Sequence, residues 1–339
     1  MDREQDELQF LGIFGIYKEA YKIVFSRRKI FSQITLALIL PLSFLFLSHI
    51  ELSNILLSKI IHNEIVLDGT SANNPKYEKV SDAISSEWAT YWLFKAAYFT
   101  FLLIFSLLST SAVVYTIACI YTKREITFKK VMSVVPKVWK RVMVTFLCIF
   151  MAIFCYNIVA FLILIIWVLI WVLAALSMAK SDAIEKIIGV FVLIVYFIGF
   201  VYLTLIWQLA SVVSVLEEAR GIKAMVKSKA LLKGNMWVAT IIYCKLNVLA
   251  ALLQFGFQQL VVSGRSFVVA ERVAYGVICS LLLFKLVLFG LVIQTVLYFV
   301  CKSYHHEKID KSALSDHLEV YLPGDYVPLS SKSVQLEQV

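Results

Sequence analysis

VMVTFLCIFMAIFCYNIVAFLILIIWVLIWVLAAL, residues 142–176, decides the class of fold. It runs 35 residues without a charge, where a helix needs only about 20 predominantly apolar residues to cross a bilayer core. As one helix at 1.5 Å per residue it would be about 50 Å long, against a hydrocarbon core of ~30 Å. No Pro or Gly breaks it, and Asn157 is the polar interruption near its middle. Lacking turn chemistry, the stretch reads as one long tilted helix rather than a re-entrant pair.

Five more stretches of the chain have spanning length: Ile30–His49, Tyr91–Ile120, Ile187–Leu216, Met236–Val262 and Val273–Cys301. The composition agrees: 60% of the 339 residues are hydrophobic and 16% charged, against about 45–50% and about 25% in an ordinary soluble domain. The expected fold is therefore an all-α integral membrane protein with six transmembrane helices. Residues 1–29 form an N-terminal segment, 30–301 the membrane domain, and 302–339 a polar tail expected to be disordered. The opening MDREQDEL is acidic, the reverse of a signal peptide's basic start. The six Cys lie in or at the ends of apolar spans, which excludes a disulfide framework.

The distribution of charge sets the expected orientation. The net charge is +9. Segments 1–29, 121–141, 217–235 and 302–339 carry 22 of the 32 Lys and Arg, and the intervening loops 50–90, 177–186 and 263–272 carry 7. The positive-inside rule then places both termini and the basic segments in the cytosol. The 50–90 segment falls on the lumenal side and reads as a connector, its first part, Leu52 to Ile61, able to prolong the first helix. The basic charge lies between apolar spans, so anionic lipid head groups are the expected partner and direct nucleic acid binding is not.

Three basic segments interleave apolar residues with charge. In IFGIYKEAYKIVFSRRKIF (13–31), Gly15, Lys18, Glu19, Lys22, Ser26 and Lys29 alternate in helical period with Ile16, Ala20, Ile23 and Val24. In FKKVMSVVPKVWKRV (128–142), Lys130, Ser133, Lys137 and Arg141 oppose Val131, Val134, Val135 and Val138, with Pro136 expected to kink the helix or start it. ARGIKAMVKSKALLKGNMW (219–237) carries Lys227, with Lys229 on its apolar side. The expectation is three basic amphipathic helices in the membrane plane on the cytosolic side; the plainer reading is positive flanks that serve insertion alone. Each precedes a pair of spans, which suggests a repeated unit.

From Val215 to Trp237 the chain resembles the "LE…G…A…S…L.KGN.W" signature of the glycerophosphoryl diester phosphodiesterase membrane domain, a multi-span module without the phosphodiesterase active site. Over nearly its full length, and most closely in GIYKEAYKIVFSRRKIFSQITLALILPLSFLFLSHIELS, it is similar to a plant family of uncharacterised six-span transmembrane proteins. That family often carries the label polyadenylate-binding-protein-binding protein. The resemblance implies a cytosolic protein partner and no catalytic residue.

The chain carries little that reads as chemistry. The five His show no metal-ligand spacing, and no phosphate loop or nucleophile elbow is present. All 23 Asp and Glu lie outside the expected spans. The expectation is no enzyme and no cofactor. Intramembrane cations are costly and are candidate sites by default. Lys95 can snorkel. Lys245 is nine residues past Met236, about 13 Å in, and Lys285 is the deepest, about 18 and 24 Å from the two ends of its span. Lys285 has no intramembrane carboxylate, so its choices are deprotonation, backbone carbonyls, an amide such as Asn157 or Gln208, or an anion such as lipid phosphate. The candidate anion or lipid contacts are Lys245, Lys285, Lys130, Lys137, Arg141 and Lys227. Asn247, Gln254 and Gln258 share one helix face and read as glue between helices. Tyr326-Val327-Pro328-Leu329 has the form of a sorting signal, and Cys119 and Cys301 are candidate acylation sites. The functional expectation is a multi-pass protein of the endoplasmic reticulum or later secretory membranes that organises lipid or scaffolds partners. The alternative is a transporter or lipid-handling channel that uses the intramembrane lysines.

Overall fold

Where a helix can satisfy all its own backbone groups, an apolar chain in lipid has little other choice. Accordingly, every regular element among the described residues is helical. The computed structural model describes residues 10–70, 75–122, 126–176, 182–264 and 268–305. The helices are α1 (Ile13–Ser26), α2 (Arg28–Ile34), α3 (Leu40–Asp68), α4 (Pro75–Tyr121), α5 (Phe128–Leu176), α6 (Asp182–Leu216), α7 (Ile222–Leu232), α8 (Met236–Phe257) and α9 (Val269–Tyr304). Six helical segments are long and apolar enough to cross a membrane: Arg28–Asp68, Lys76–Tyr121, Phe128–Leu173, Ile187–Leu216, Met236–Val262 and Val269–Tyr304.

Two π-helical segments, Thr35–Ile39 and Gln258–Val262, interrupt the regular ladder. The first leads directly into Pro41, which has no N–H to donate and whose ring crowds the carbonyl four residues earlier. The extra residue of the π turn re-registers the chain there. The 142–176 stretch is unbroken, and α5 extends it backwards to Phe128 with Pro136 inside the helix. The second basic segment is therefore the first part of a spanning helix and not a separate one. The tail boundary at residue 302 also moves, because α9 continues to Tyr304.

The 50–90 segment is not a connector. It is the outer half of a hairpin made by α3 and α4, with the turn after Asp68. The Asn63 amide donates to both Glu87 oxygens at 2.9 Å, Lys59 sits 3.1 Å from the same carboxylate, and the Trp88 indole donates to Glu64. Where α3 leaves the other helices, Glu51 meets Arg272 of α9 at 3.3 Å, and Lys95 of α4 donates to Ser53 and lies 2.8 Å from His49. Beyond Glu51 the 17 residues to Asp68 extend about 25 Å past the level of Arg272.

The core lies at the opposite end, where the basic segments are. One buried cluster joins Ile16 and Ala20 of α1, Phe31 of α2, Val114 and Ile117 of α4, Val131 to Val142 of α5, Leu209 to Leu216 of α6, Leu231 of α7 and Val292 to Cys301 of α9. α9 is the hub, touching α1, α3, α4, α6, α7 and α8. Ser109, Ser111 and Ala112 on α4 are wholly buried, the small residues that let helices approach closely. Farther along, α5 and α6 leave the bundle as a hairpin: Phe161, Leu164, Leu169 and Leu173 on one helix and Phe191, Ile194 and Ile198 on the other are exposed.

Candidate functional site

The VLEEARGIKAMVKSKALLKGNMW segment, residues 215–237, builds the most connected polar site of the described structure. It ends α6, turns, forms α7 and enters α8. Gly221 makes the turn at φ +60°, a conformation that L side chains adopt at a steric cost. Its N–H donates to Thr145 Oγ1 of α5 at 2.8 Å, and the same hydroxyl lies 2.7 Å from Ser214 Oγ. Ser228, wholly buried on α7, donates to the Ile206 carbonyl of α6. Gly234 closes the segment at φ +100° against the Tyr304 ring, where a Cβ would collide.

Glu217 is the centre of this fastening. Its side chain is only 14% exposed. Lys227 of α7 lies 2.6 Å from Oε2, while Tyr298 Oη and Lys302 Nζ of α9 donate to Oε1 at 2.6 and 2.9 Å. Burial alone would raise this carboxyl, but the hydrogen bonds from Lys227, Tyr298 and Lys302 hold it below its usual value. Lys227, expected to meet lipid, is thus committed to Glu217. His305 Nε2 lies 3.1 Å from the Leu231 carbonyl at the other end of α7. Sequence reading missed Glu217, Tyr298, Lys302 and Thr145, because Lys302 is 85 residues from Glu217 and Thr145 is 76 from Gly221. The one available signal was Glu217 itself, the acid that opens an otherwise basic segment.

Around this fastening the surface is basic. Lys18, Lys22, Lys130, Lys137, Lys223 and Lys229 are exposed, and Arg141 is half-buried. The apolar faces of the same segments do not lie against lipid as expected. Ile16, Ala20, Ile23 and Val24 of α1, Val131, Val134, Val135 and Val138 of α5, and Ala224, Leu231 and Leu232 of α7 are covered by protein. Phe14, Tyr21, Ile222 and Trp237 remain exposed beside the charges.

Lys285 meets neither expectation for a seam or a path. It is exposed on the outside of the bundle. The Gln208 carbonyl takes the Gln294 amide, and Asn157 bonds to the Ile153 carbonyl and the Tyr196 hydroxyl. Lys245 is also exposed, 6.0 Å from the Phe14 ring centroid of α1. Measured along the helices from the far turns, the two lysines are level. Lys245 is 18 residues before Ser263 and Lys285 is 17 after Val268, about 27 and 26 Å. Asn157 is 19 residues before Leu176, about 29 Å. The stripe of Asn247, Gln254 and Gln258 does not glue helices as expected: Asn247 is exposed and bonds to Tyr243 of its own helix, and Gln254 is exposed. Cys119 and Cys301, the candidate acylation sites, are 3% and 0% exposed, which no acyl donor can reach. Tyr326 and Leu329, and the tail beyond His305, lie outside the described residues. Among the described residues no three His, Cys, Asp or Glu side chains gather as a metal set.

A family described as Domain of unknown function (DUF8558) matches residues 1–339. The chain belongs to the DUF8558 family. No curated protein and no solved structure matches it.

Proposed function

We propose that this DUF8558 protein is a non-enzymatic multi-pass protein of endomembranes, in the endoplasmic reticulum or later secretory membranes. Both termini face the cytosol. Its basic end gathers anionic lipid head groups, and so organises lipid or presents a scaffold to a cytosolic partner. One observation carries the reading: the basic side chains of three segments are turned outward at one end, while the apolar residues between them are used to build the core beneath. Flanks that served insertion alone would need no such core.

The level of the two exposed lysines supports it. A hydrocarbon layer of ~30 Å laid against the far turns ends close to Lys245, Lys285 and Asn157. The core of α1, α7 and the helix ends then stands outside that layer. α1 rests at this boundary, with Phe14 beside Lys245 and Tyr21 stacked on Phe289 at 6.5 Å between ring centroids. From the far turn to Phe289 is 21 residues, about 31 Å, a rise of only about 4 Å along the ~10 Å of helix from Phe14 to Tyr21. That slope favours a helix lying near the membrane plane, with Lys18 and Lys22 at head-group height. Transport through the bundle draws no support from Lys245 or Lys285, which are on its outside.

The test is lipid retention by the full-length protein in nanodiscs holding phosphatidylserine and phosphatidylcholine. Each surface cation contributes about 1 kcal/mol toward an anionic surface. Phosphatidylserine is expected to be retained preferentially, and less so in a variant with Lys18, Lys22, Lys245 and Lys285 all changed to Gln. Equal retention of both lipids by the parent, or no change in the variant, would overturn the reading. Accessibility of a tag placed near Asn74 to protease in sealed vesicles tests the orientation independently.

A further inference from the structure

At the end away from the basic helices, a cavity of about 430 Å³ opens between α3, the π-helical end of α8, and α9. That is the size of a small-ligand pocket. One face of α3 supplies Phe44, Leu47, Ser48, Glu51 and Leu52, and one face of α9 supplies Val269, Arg272, Val273, Gly276 and Ser280. The gap exists because Gly276 and Ser280 are small: a Cβ on Gly276 would come no closer than 4.0 Å to Val261. The walls are otherwise apolar. At the mouth Arg272 donates from Nε to the Val261 carbonyl at 2.9 Å, a group of the π turn, and from Nη2 to Glu51 Oε1 at 3.3 Å. Glu51 Oε2 is shielded from solvent and has no hydrogen-bond partner among the described residues. An acceptor in that position calls for a donor. The level is that of the far membrane surface, since His49 and Ser53, which flank Glu51 on α3, hold Lys95 just inside Trp88, Tyr91 and Trp92 of α4. Trp and Tyr concentrate at such interfaces.

We infer that this groove holds one acyl chain of a glycerophospholipid whose head group carries a primary ammonium, with the phosphate on Arg272 and the ammonium on Glu51, whose carboxylate turns to bring the unpartnered Oε2 to the groove. The chain lies among Phe44, Leu47, Val261 and Val273. Nε and one Nη2 hydrogen of Arg272 are taken by Val261 and Glu51, which leaves Nη1 to donate to the phosphate. Glu51 repels a head group of net negative charge, which disfavours phosphatidylglycerol. A choline has no N–H for Oε2, which disfavours phosphatidylcholine. This site is separate from the basic end and stands or falls apart from the function proposed above.

The experiment purifies the full-length protein from nanodiscs of equal phosphatidylethanolamine, phosphatidylcholine and phosphatidylglycerol and weighs the retained lipid by native mass spectrometry. Phosphatidylethanolamine should be enriched about tenfold over phosphatidylcholine, the discrimination one charge-assisted hydrogen bond supplies. Glu51→Gln should bring the two to parity. Gly276→Leu should abolish retention by filling the groove; where its melting shows misfolding, Ser280→Leu takes its place. Equal retention of phosphatidylethanolamine and phosphatidylcholine by the parent overturns the ammonium assignment. Undiminished retention in a folded Gly276→Leu or Ser280→Leu protein overturns the groove.

Discussion

Changing Glu217 to Gln keeps the shape of the side chain and removes its charge. Two cations, Lys227 at 2.6 Å and Lys302 at 2.9 Å, then face a neutral amide, and one amide oxygen can no longer serve all three donors. Removing one partner of a buried ion pair costs about 3–5 kcal/mol. Here Lys302 is 17% exposed and Lys227 is 35% exposed, so Lys227 can turn to water and the cost falls to about 2–3 kcal/mol. At 1.36 kcal/mol per tenfold, opening of α7 from the bundle rises roughly 30- to 150-fold. Lys223 and Lys229 on α7 are trypsin sites, and cleavage follows the open population while opening and closing remain fast. The expected result is faster cleavage at these two sites by that factor, with a change below threefold for the exposed neighbour Glu218→Gln, about what a surface substitution allows. Changing Lys302 to Met in the Glu217→Gln background should add less than the two single costs together, because the groups share one interaction. If Glu217→Gln is cleaved no faster than the parent, α7 is held by its other contacts and the fastening assigned to Glu217 is refuted.

Acidification should mimic that variant. The Glu217 carboxyl is held below its usual 4.5, so its contribution is complete above about pH 4.5 and is lost as pH falls through the lowered folded value; hydrogen-exchange protection of α7 should drop in that window in the parent and not in Glu217→Gln. Thr145→Val leaves the buried Gly221 N–H without an acceptor, costing about 1–3 kcal/mol, whereas Thr145→Ser should be near neutral; tryptic cleavage at Lys223 reports both. Gly234→Ala forces a Cβ into the Tyr304 ring at φ +100° and should cost about 1–3 kcal/mol, seen as a lower melting temperature in detergent. Glu87→Gln frees Lys59 and weakens the bond from Asn63 at the outer hairpin, at about 1–2 kcal/mol, and should speed proteolysis at Lys76 and Lys79 while leaving α7 unchanged.

The six spans were legible because apolar runs of spanning length leave lipid as their only solvent. The unbroken α5 followed from the lack of any Pro or Gly between 142 and 176. The helical period of Ile16, Ala20 and Ile23 correctly marked one apolar face, but period alone is silent on what covers it. Here that is α9 and its neighbours rather than lipid. The 50–90 segment differs for another reason: Asn63, Glu64 and Glu87 have the look of loop chemistry in sequence, but they are the contacts that hold two helices together. Distance along its own helix makes Lys285 look deep and in want of a partner, but tertiary packing decides which way the side chain faces, and it lies exposed on the outside of the bundle.

The placement of the core at one end has a physical cause. Between helices surrounded by lipid, the hydrophobic effect supplies no drive, since a lipid tail is as apolar as a leucine. The α5–α6 hairpin accordingly leaves Leu164, Leu169 and Ile194 facing outward. At the end that carries the basic segments, Val131, Val134 and Val135 of α5, Ile16 of α1 and Val296 of α9 close on one another; on the placement proposed above this end stands in water, where each Å² of apolar surface buried contributes about 25 cal/mol. Polar contacts at this end, Thr145 with Gly221 and Glu217 with Lys302, then fix the register that apolar packing leaves loose. At the far end a smaller buried cluster of Leu47, Phe257, Val262, Cys279 and Leu283, with pairs such as Glu51–Arg272 and Lys95–His49, holds the helices around a groove. The two proposed lipid contacts therefore lie at opposite ends of the fold, one beside the larger core and one beside the groove.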